Sequence, residues 1–263
     1  MTIFASDLDN TLIYSYKHDI GNEKRNVELY QSREISYVTD KTYSLLHELS
    51  GKILFVPVTT RSIEQYKRID FGIGDIKYAL VCNGGLLLVD GEKDLSWYAE
   101  SLDFVRPCLD ELNKGMSILE KEPSRKFEIR FIENLFVFTK CENPKSVVEL
   151  LRNSLDENLV DVFNNIEKIY ILPKSLDKGA AIRRFKKHIN AGTVISAGDS
   201  EFDVSMLENA DIGMVPVDFS WNLSSKNRIL RNSSEKLFSE FVLENALNFL
   251  SKPLEQIRQD GEK

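Results

Sequence analysis

Short apolar runs that alternate with amphipathic segments constrain the fold of this chain more than any other feature. Three of these runs are TIFAS (2–6), KILFVPV (52–58) and TVISA (193–197). Runs this short and this apolar are typical of strands that are buried on both faces. Helical spacing of apolar residues is found at 39–50, 62–69 and 177–189. The alternation predicts an α/β fold with a parallel sheet flanked by helices on both sides.

The middle of the chain follows a different pattern. Residues 126–141 predict two antiparallel strands around a turn at Glu133-Asn134, and residues 160–173 predict two more. Helical segments at 104–122 and 144–158 lie between and around them. Antiparallel strands mixed with helices predict a separate α+β domain. We therefore predict a core domain made of residues 1–87 and 171–263, with an inserted domain at 88–170.

A long polar connection, Tyr14–Thr39, follows the first predicted strand. Connections of this length are uncommon in compact domains and often have a function. Within it, residues 27–38 alternate enough to predict a short hairpin or flap. We expect this flap to contact the inserted domain or the substrate.

Composition excludes several classes of function. The net charge is −7 and the pI about 5.2, which argues against a nucleic-acid surface because such a surface needs a basic field. Three widely spaced cysteines without a CxxC pair indicate reduced thiols in a cytoplasmic protein. The sequence predicts neither a secretory signal nor a membrane span. The oligomeric state does not follow from the sequence.

Four polar stretches stand at the ends of predicted strands or the starts of predicted helices. They are Asp7–Thr11, Thr59–Arg61, Lys178-Gly179 and Gly198–Asp203. Each alone has an ordinary explanation, as a solvated turn, a helix cap or a surface charge. Ligands of open parallel sheets bind at the carboxyl ends of the strands. The shared edge and order of the four stretches therefore favour one common site.

Carboxylates in that site require a cation. Two carboxylates about 4 Å apart repel by roughly 4 kcal/mol at an effective dielectric of 20. If Asp7, Asp199 and Asp203 converge, oxygen ligands without His or Cys favour Mg²⁺, with Mn²⁺ and Ca²⁺ as alternatives. Lys178 would add positive charge, and Thr59 with nearby backbone N–H groups would bind phosphate. One carboxylate could then attack phosphorus while a second moves protons, which explains why two aspartates lie one residue apart at positions 7 and 9.

The four stretches together resemble the motifs of the haloacid dehalogenase-like superfamily of phosphohydrolases. DLDNTL resembles the DxDxT motif, VTTR the strand-end Thr motif, SLDKGAAI the lysine motif and GDSEFDVSML the acidic GDxxxD motif. The resemblance implies that Asp7 is the nucleophile and Asp9 the general acid/base. It implies that Thr59, Thr60 and Lys178 bind the phosphoryl group. It also implies that Mg²⁺ is held by Asp7, the backbone carbonyl of Asp9 and Asp199, with Asp203 close by.

The insertion and the preceding VCNGGLLL resemble the large α/β cap of the Cof-type and sucrose-phosphatase-like branch. The resemblance implies a Rossmann-like core and a cap that closes over the site and selects the substrate. It also implies that Asn83 and Gly84 line the site near the cap hinge.

Three positions depart from the motifs. Asn10 stands where glycine is usual, Thr60 replaces the glycine of TGR, and Phe202 replaces an asparagine. None of these changes removes a charged catalytic group.

The expected function is a Mg²⁺-dependent phosphatase that hydrolyses a small phosphorylated metabolite, a sugar phosphate or similar monoester, through an aspartyl phosphate. Two alternatives stay open. One is a phosphomutase of the same fold, and the other is a non-catalytic sensor of a phosphorylated ligand.

Overall fold

A computed structural model of the chain describes residues 1–223 and 228–251. Their strands are β1 (Thr2–Ser6), β2 (Tyr14–Ser15), β3 (Lys24–Tyr30), β4 (Arg33–Thr39), β5 (Leu54–Pro57), β6 (Tyr78–Val81), β7 (Leu86–Val89), β8 (Glu92–Lys93), β9 (Arg130–Ile132), β10 (Phe136–Lys140), β11 (Val160–Asn165), β12 (Lys168–Pro173), β13 (Thr193–Ala197), β14 (Ile212–Val215) and β15 (Arg228–Arg231). Their α-helices are α1 (Asp40–Leu49), α2 (Ile63–Tyr66), α3 (Leu95–Val105), α4 (Leu109–Glu120), α5 (Pro144–Ser154), α6 (Lys178–His188), α7 (Val204–Glu208) and α8 (Phe238–Ser251).

The described chain forms two compact units. One, called here the core unit, takes Met1–Gly84, Leu88–Glu92 and the chain from Lys178 onward. The other, the inserted unit, takes Gly85–Leu87 and Lys93–Asp177. These bounds differ from the predicted limits of 88 and 170. At the far end the inserted unit continues past 170 because β12 pairs along its whole length with β11.

A parallel sheet forms the centre of the core unit, with the strand order β15-β14-β13-β1-β5. Phe4 of β1 aligns with Ile195 of β13 on one side and with Phe55 of β5 on the other. The apolar run of β1 is therefore paired on both edges, and Ile3, Phe4 and Ala5 are fully buried. The prediction of an α/β fold with a parallel, helix-flanked sheet and an α+β insert is confirmed.

Helix α1 begins at a polar cap and buries one apolar side. The side chain of Thr39 caps α1 by accepting a hydrogen bond from the Thr42 backbone N–H. Leu46 and Leu49 of α1 are buried. The hydroxyls of Thr42 and Ser239 share a 2.8 Å hydrogen bond, which joins α1 to α8.

The connection after β1 contains the predicted hairpin. Strands β3 and β4 pair antiparallel, and β2 adds to β4, so the sheet order is β2-β4-β3. The turn residues Gln31 and Ser32 both have positive φ, 49° and 59°, which suits a tight two-residue hairpin turn. A register shift between Asn26 and Glu28 interrupts the ladder.

The inserted unit contains an antiparallel sheet with the order β11-β12-β10-β9. The turn between β9 and β10 includes Glu133 and Asn134, with φ of 49° and 57°, at the predicted position. Helix α5 begins at Pro144, which suits the first turn of a helix because its missing N–H would have no partner there. A further three-stranded sheet has the order β6-β7-β8, and its strand β6 belongs to the core unit.

Several elements differ from the sequence expectations. The helix predicted at 104–122 corresponds to α4, which begins only at Leu109 because a 3₁₀ turn at Arg106–Cys108 precedes it. Helix α3, which Asp94 caps by accepting from the Trp97 backbone N–H, was not predicted. Helix α2 is only four residues long and buries none of them. The charged tail at 254–263, predicted to fray, lies outside the described residues. Within the described ranges, no helix is long and apolar enough to cross a membrane.

Candidate active site

Three neighbouring strands deliver the predicted site residues to one edge of the parallel sheet. Asp7 follows β1, Thr59 comes two residues after β5, and Asp199 comes two residues after β13. Because β13, β1 and β5 are adjacent and parallel, their carboxyl ends lie side by side. The Asp7 backbone N–H donates to the Ala197 carbonyl at 2.9 Å, which extends the β1–β13 pairing into the site.

A tight turn after Asp7 explains one departure from the family motif. The backbone N–H groups of Thr11, Leu12 and Ile13 all donate to the carbonyl of Leu8, and Asn10 N–H donates to the Ile13 carbonyl. Asn10 has φ of +60°. Asparagine adopts this left-handed conformation more readily than most other L-residues, so it can replace glycine here.

Lys178 is the buried cation of the site, 1% exposed at the first residue of α6. Its Nζ donates to Asp7 Oδ1 and to Asp203 Oδ1, each at 2.6 Å. Burial opposes the positive charge, but the carboxylates of Asp203 and Asp7 outweigh burial and raise the pKa of Lys178. The lysine is therefore charged, and it links Asp7, which follows β1, to Asp203 of the 198–203 loop.

The backbone around Lys178 and Asp203 requires glycine. A Cβ on Gly179 would lie 2.3 Å from the Ser205 carbonyl oxygen, and a Cβ on Gly198 would lie 2.3 Å from the Cβ of Asp203. Both distances are shorter than any real contact. Glycine at these two positions therefore lets α6 and the 198–203 loop approach closely enough for the lysine–carboxylate contacts.

Asp203 organises the loop with its second oxygen. Oδ2 accepts hydrogen bonds from the backbone N–H groups of Asp199 (3.1 Å) and Ser200 (3.0 Å), and from the Ser200 hydroxyl (2.8 Å). Since Oδ1 accepts from Lys178, both oxygens of Asp203 have protein donors. The aspartate therefore fixes the backbone that carries Asp199.

The acidic residues of this edge fit a divalent cation. Asp7, Asp199 and Asp203 each offer a carboxylate oxygen within 4.8 Å of the others. Burial, followed by the charges of the neighbouring aspartates, raises the pKa of Asp7 to about 7 and that of Asp199 to about 8. A divalent cation would favour the ionised forms and remove this repulsion. The oxygen-only ligand set suits Mg²⁺.

The predicted phosphate-binding threonine lies in a loop held by backbone hydrogen bonds. Thr59 is fully buried, and its hydroxyl accepts from the Arg61 backbone N–H at 3.2 Å. Asn83 N–H donates to the Thr59 carbonyl, and Cys82 N–H donates to the Arg61 carbonyl. Thr60, between these anchors, is half-buried.

The loop that contains Asn83 and Gly84 has an unusual backbone. Cys82, Asn83 and Gly84 all have positive φ, of 53°, 58° and 83°. All three are buried, and the Gly84 N–H donates to the Val81 carbonyl. This bend turns the chain back after β6 and holds Asn83 beside the Thr59 loop. Binding of phosphate by Thr59, Thr60, Asn83 and Gly84 stays a prediction.

Asp9 has a partner that the sequence reasoning did not identify. Arg61 donates from Nε and Nη2 to the two carboxylate oxygens of Asp9, both at 2.7 Å. The same guanidinium contacts Glu28 of strand β3. Arg61 belongs to the VTTR motif, whereas Glu28 lies in a hairpin outside the four motifs. The only sequence signal for Glu28 is an acidic residue between the apolar residues Val27 and Leu29.

Comparison with known families agrees with two of the four motifs, because the matched residues include Lys178-Gly179 and Gly198–Asp203. Residues 96–216 match the family model of haloacid dehalogenase-like hydrolases. Phosphoglycolate phosphatase 2 of Saccharolobus solfataricus is 26% identical over 172 residues, which cover 64% of this chain and 66% of that protein. The matched part is thus less than two thirds of the relative's length.

Solved structures share the fold over nearly the whole chain. The sucrose-phosphatase of Synechocystis sp. PCC6803, solved with sucrose and phosphate, has a TM-score of 0.67 at 17% identity, with 94% of this chain and 97% of that chain covered. A HAD/COF-like hydrolase of Plasmodium vivax has a TM-score of 0.58 at 15% identity, with 94% and 95% covered. The resemblance read from the motifs is confirmed.

Proposed function

We propose that this chain, a haloacid dehalogenase-like hydrolase, is a Mg²⁺-dependent phosphatase that hydrolyses a small phosphorylated metabolite through an aspartyl phosphate on Asp7. The observation that carries the proposal is the buried ion pair of Lys178 with Asp7 and Asp203, with Asp199 beside it. Buried charges of this kind are costly unless they have a function or a compensating partner. A phosphate dianion with its cation is a ligand that such a site would recognise.

Asp7 and Asp199 are the carboxylates that would hold Mg²⁺, with the backbone carbonyl of Asp9 as the family resemblance implies. Asp203 would support the ion indirectly, because its oxygens already accept from Lys178 and from the Asp199–Ser200 backbone. The bound ion would neutralise phosphoryl charge and align the phosphorus with Asp7.

The proposed chemistry has two displacements. Asp7 uses the oxygen not bound to Lys178, Oδ2, to attack phosphorus, and the bond from phosphorus to the leaving oxygen breaks. Asp9 in its protonated form donates a proton to that oxygen, so an alcohol leaves and Asp9 becomes the carboxylate that accepts from Arg61. Asp9 then takes a proton from water, the water oxygen attacks phosphorus, and cleavage of the bond to Asp7 releases inorganic phosphate.

Lys178 and Thr59 support both displacements. The ammonium of Lys178 keeps Asp7 oriented by its 2.6 Å hydrogen bond and would offset charge on the transferred phosphoryl group. The Thr59 hydroxyl would donate a hydrogen bond to a phosphoryl oxygen while it accepts one from the Arg61 backbone N–H.

We further propose a sugar phosphate or similar monoester as substrate. This rests on the names of similar proteins, a phosphoglycolate phosphatase and a sucrose-phosphatase, both of which act on phosphorylated small molecules. A cytoplasmic location accords with three buried free cysteines and stays a prediction.

The test is phosphate release from a panel that contains 2-phosphoglycolate, sucrose 6-phosphate, trehalose 6-phosphate, glucose 6-phosphate and p-nitrophenyl phosphate. Each is assayed with Mg²⁺ and with EDTA, for the wild type and for Asp7→Asn. We expect turnover that needs Mg²⁺ and is lost in Asp7→Asn. Interconversion of glucose phosphates without phosphate release would instead indicate a phosphomutase. Mg²⁺-dependent binding without any turnover would indicate a sensor.

A further inference from the structure

The long connection after β1 brings a buried carboxylate toward the active site. Glu28 of strand β3 has a side chain with 0% exposure, and nothing in the two displacements described above uses it. Its partners are two arginines and a serine: Arg61, Arg68 and Ser36. A fully buried acid on a surface hairpin is uncommon, because isolated buried charges are unfavourable.

The guanidinium of Arg61 lies between Glu28 and Asp9. Nη1 and Nη2 donate to Glu28 Oε1 (2.8 Å) and Oε2 (3.0 Å), while Nε and Nη2 donate to Asp9 at 2.7 Å each. Nη1 also donates to the Gln65 carbonyl at 3.3 Å. The five N–H groups of an arginine are fixed in a planar fork, so two carboxylates on adjacent edges determine its orientation.

Exposure shows which carboxylate is the anchor. The side chain of Arg61 is 12% exposed, that of Glu28 is 0% exposed and that of Asp9 is 50% exposed. Glu28 is also held from other directions, by the Ser36 hydroxyl at 2.6 Å and by Arg68 Nε at 3.0 Å. Glu28 therefore fixes the position of the Arg61 guanidinium, and Arg61 in turn orients the more exposed carboxylate of Asp9.

The charges of this cluster balance. With Asp9 in its carboxylate form, Glu28 and Asp9 face Arg61 and Arg68, which gives two negative and two positive side chains. Burial opposes ionisation of Glu28, but hydrogen bonds and charge from Arg61, with smaller contributions from Ser36 and Arg68, lower its pKa. Burial likewise opposes the charge of Arg61, and the Asp9 and Glu28 carboxylates raise its pKa. The carboxylate of Glu28 is thus an ionised, permanent anchor.

A β-bulge explains how the hairpin presents Glu28 inward. Adjacent residues of a regular strand point to opposite faces, yet Val27 and Glu28 are both buried. The register shift between Asn26 and Glu28 is the irregularity that permits this. The Asn26 side-chain amide donates to the carbonyls of Glu28 and Ser36 at 3.0 Å and stabilises the bulge.

We infer that Glu28 is a positioning residue of the active site, which holds Arg61 so that Arg61 orients the carboxylate of Asp9. The inference rests on the proposed function for the role of Asp9. It assigns a function to the long hairpin: the hairpin completes the active site of the core unit from within that unit.

The kinetic test uses the leaving group as a reporter. An alkyl alcohol needs a proton as it leaves, whereas p-nitrophenolate leaves readily without one. In Glu28→Gln we expect kcat/KM for the best alkyl monoester of the panel to fall about tenfold, equivalent to about 1.4 kcal/mol. For p-nitrophenyl phosphate we expect a change of less than about twofold. Asp9→Asn should show the same pattern more strongly.

Background and control variants separate positioning from folding. If Glu28 acts through Asp9, Glu28→Gln should add no loss of kcat/KM in an Asp9→Asn background. Glu34→Gln makes the same chemical change at an exposed residue on the other strand of the hairpin and should match the wild type. Glu28→Asp keeps the charge and should recover part of the alkyl-monoester activity. It also replaces Glu28→Gln in every assay if that variant does not fold.

A second readout needs neither metal nor turnover. In ¹⁵N spectra of the protein with EDTA, the Nε–H of Arg61 should exchange slowly with solvent because Asp9 accepts from it. The signal should broaden or exchange faster in Glu28→Asp and stay unchanged in Glu34→Gln.

The outcomes distinguish this inference from the proposed function. An active wild type, an inactive Asp7→Asn and equal losses for alkyl and aryl monoesters in Glu28→Gln would overturn the inference and leave the phosphatase intact. A rapidly exchanging Arg61 Nε–H in the wild type would also overturn it. No turnover by the wild type on any panel member would overturn the proposed function, while the ¹⁵N readout would still decide whether Glu28 holds Arg61.

Discussion

Lys178 shows how a single residue links stability to chemistry in this protein. It is buried with two carboxylates at 2.6 Å, and both would be left without their cation if it were removed. Breaking a buried ion pair by removing one partner is strongly destabilising, because the remaining charge has no solvent to compensate it.

For Lys178→Met, which keeps a similar side-chain length, we expect turnover to be lost and the free energy of unfolding to fall by about 3–5 kcal/mol. Phosphate-release assays and urea unfolding with EDTA measure the two effects. Lys187→Met, at an exposed lysine of the same helix, is the matched control and should change neither. A fully active Lys178→Met would contradict the role given to this lysine.

At the residue scale, position relative to a strand end decided what the sequence could predict. Asp7, Thr59 and Asp199 were identifiable because each follows an apolar run that had to be a buried parallel strand. Glu28 was not identifiable, because its inward orientation depends on a bulge and on Arg61, which lies 33 residues further along the chain. Local patterns do not encode such a pairing.

The 198–203 loop is the element that depends most on backbone space. A Cβ at Gly198 would collide with the Asp203 side chain at 2.3 Å, so the loop must shift if alanine stands there. The shift would disturb the Asp203 hydrogen bonds to Asp199 and Ser200.

In Gly198→Ala we expect kcat to fall at least about tenfold and stability to fall by about 1–3 kcal/mol, as for other overpacked sites. Gly192→Ala is the control, since a Cβ there would meet only the Met1 carbonyl oxygen at 3.8 Å, an ordinary contact. Steady-state kinetics and thermal unfolding of both variants check this. Equal behaviour of the two variants would show that the loop tolerates a side chain.

Among the helices and strands, several with buried apolar sequences were predicted, and some without such sequences were missed. Strands β1, β5 and β13 have near-continuous apolar sequences and were predicted from them. Strand β15, Arg228–Arg231, was missed because an edge strand with arginines at both ends has no comparable signal. Helix α3 was missed because its large apolar residues are not confined to one side: Trp97 and Val105 are buried, whereas Leu95 is exposed.

At the scale of the whole molecule, the site unites two distant parts of the chain. Asp7 and Lys178 are 171 residues apart in sequence, yet both belong to the core unit. Ligand binding to the site should therefore stabilise the folded core unit as a whole, because the unfolded chain has no preformed carboxylate cluster.

The pKa values of the cluster predict how this stabilisation depends on pH. Asp7 and Asp199 have pKa values of about 7 and about 8 in the folded protein, above the ordinary value of 3.8. The folded state therefore binds more protons than the unfolded state between these limits, so in EDTA their contribution to stability decreases as pH rises through this window. Mg²⁺ competes with those protons, and its effect should increase over the same range.

We expect the rise in Tm caused by Mg²⁺ to be larger at about pH 8 than at about pH 5, as measured by thermal unfolding with Mg²⁺ and with EDTA. In Asp199→Asn the rise should be small at both pH values. A Mg²⁺ effect that is independent of pH, or that persists in Asp199→Asn, would place the ion elsewhere.

Phosphorylation of Asp7 during turnover can be detected by chemical trapping. Borohydride reduces an aspartyl phosphate to homoserine, so the protein is mixed with its best substrate and Mg²⁺, quenched with borohydride, digested and analysed by mass spectrometry. We predict homoserine at position 7 with substrate and aspartate at position 7 without it. Turnover without modification of Asp7, or homoserine at another aspartate, would show that Asp7 is not the nucleophile.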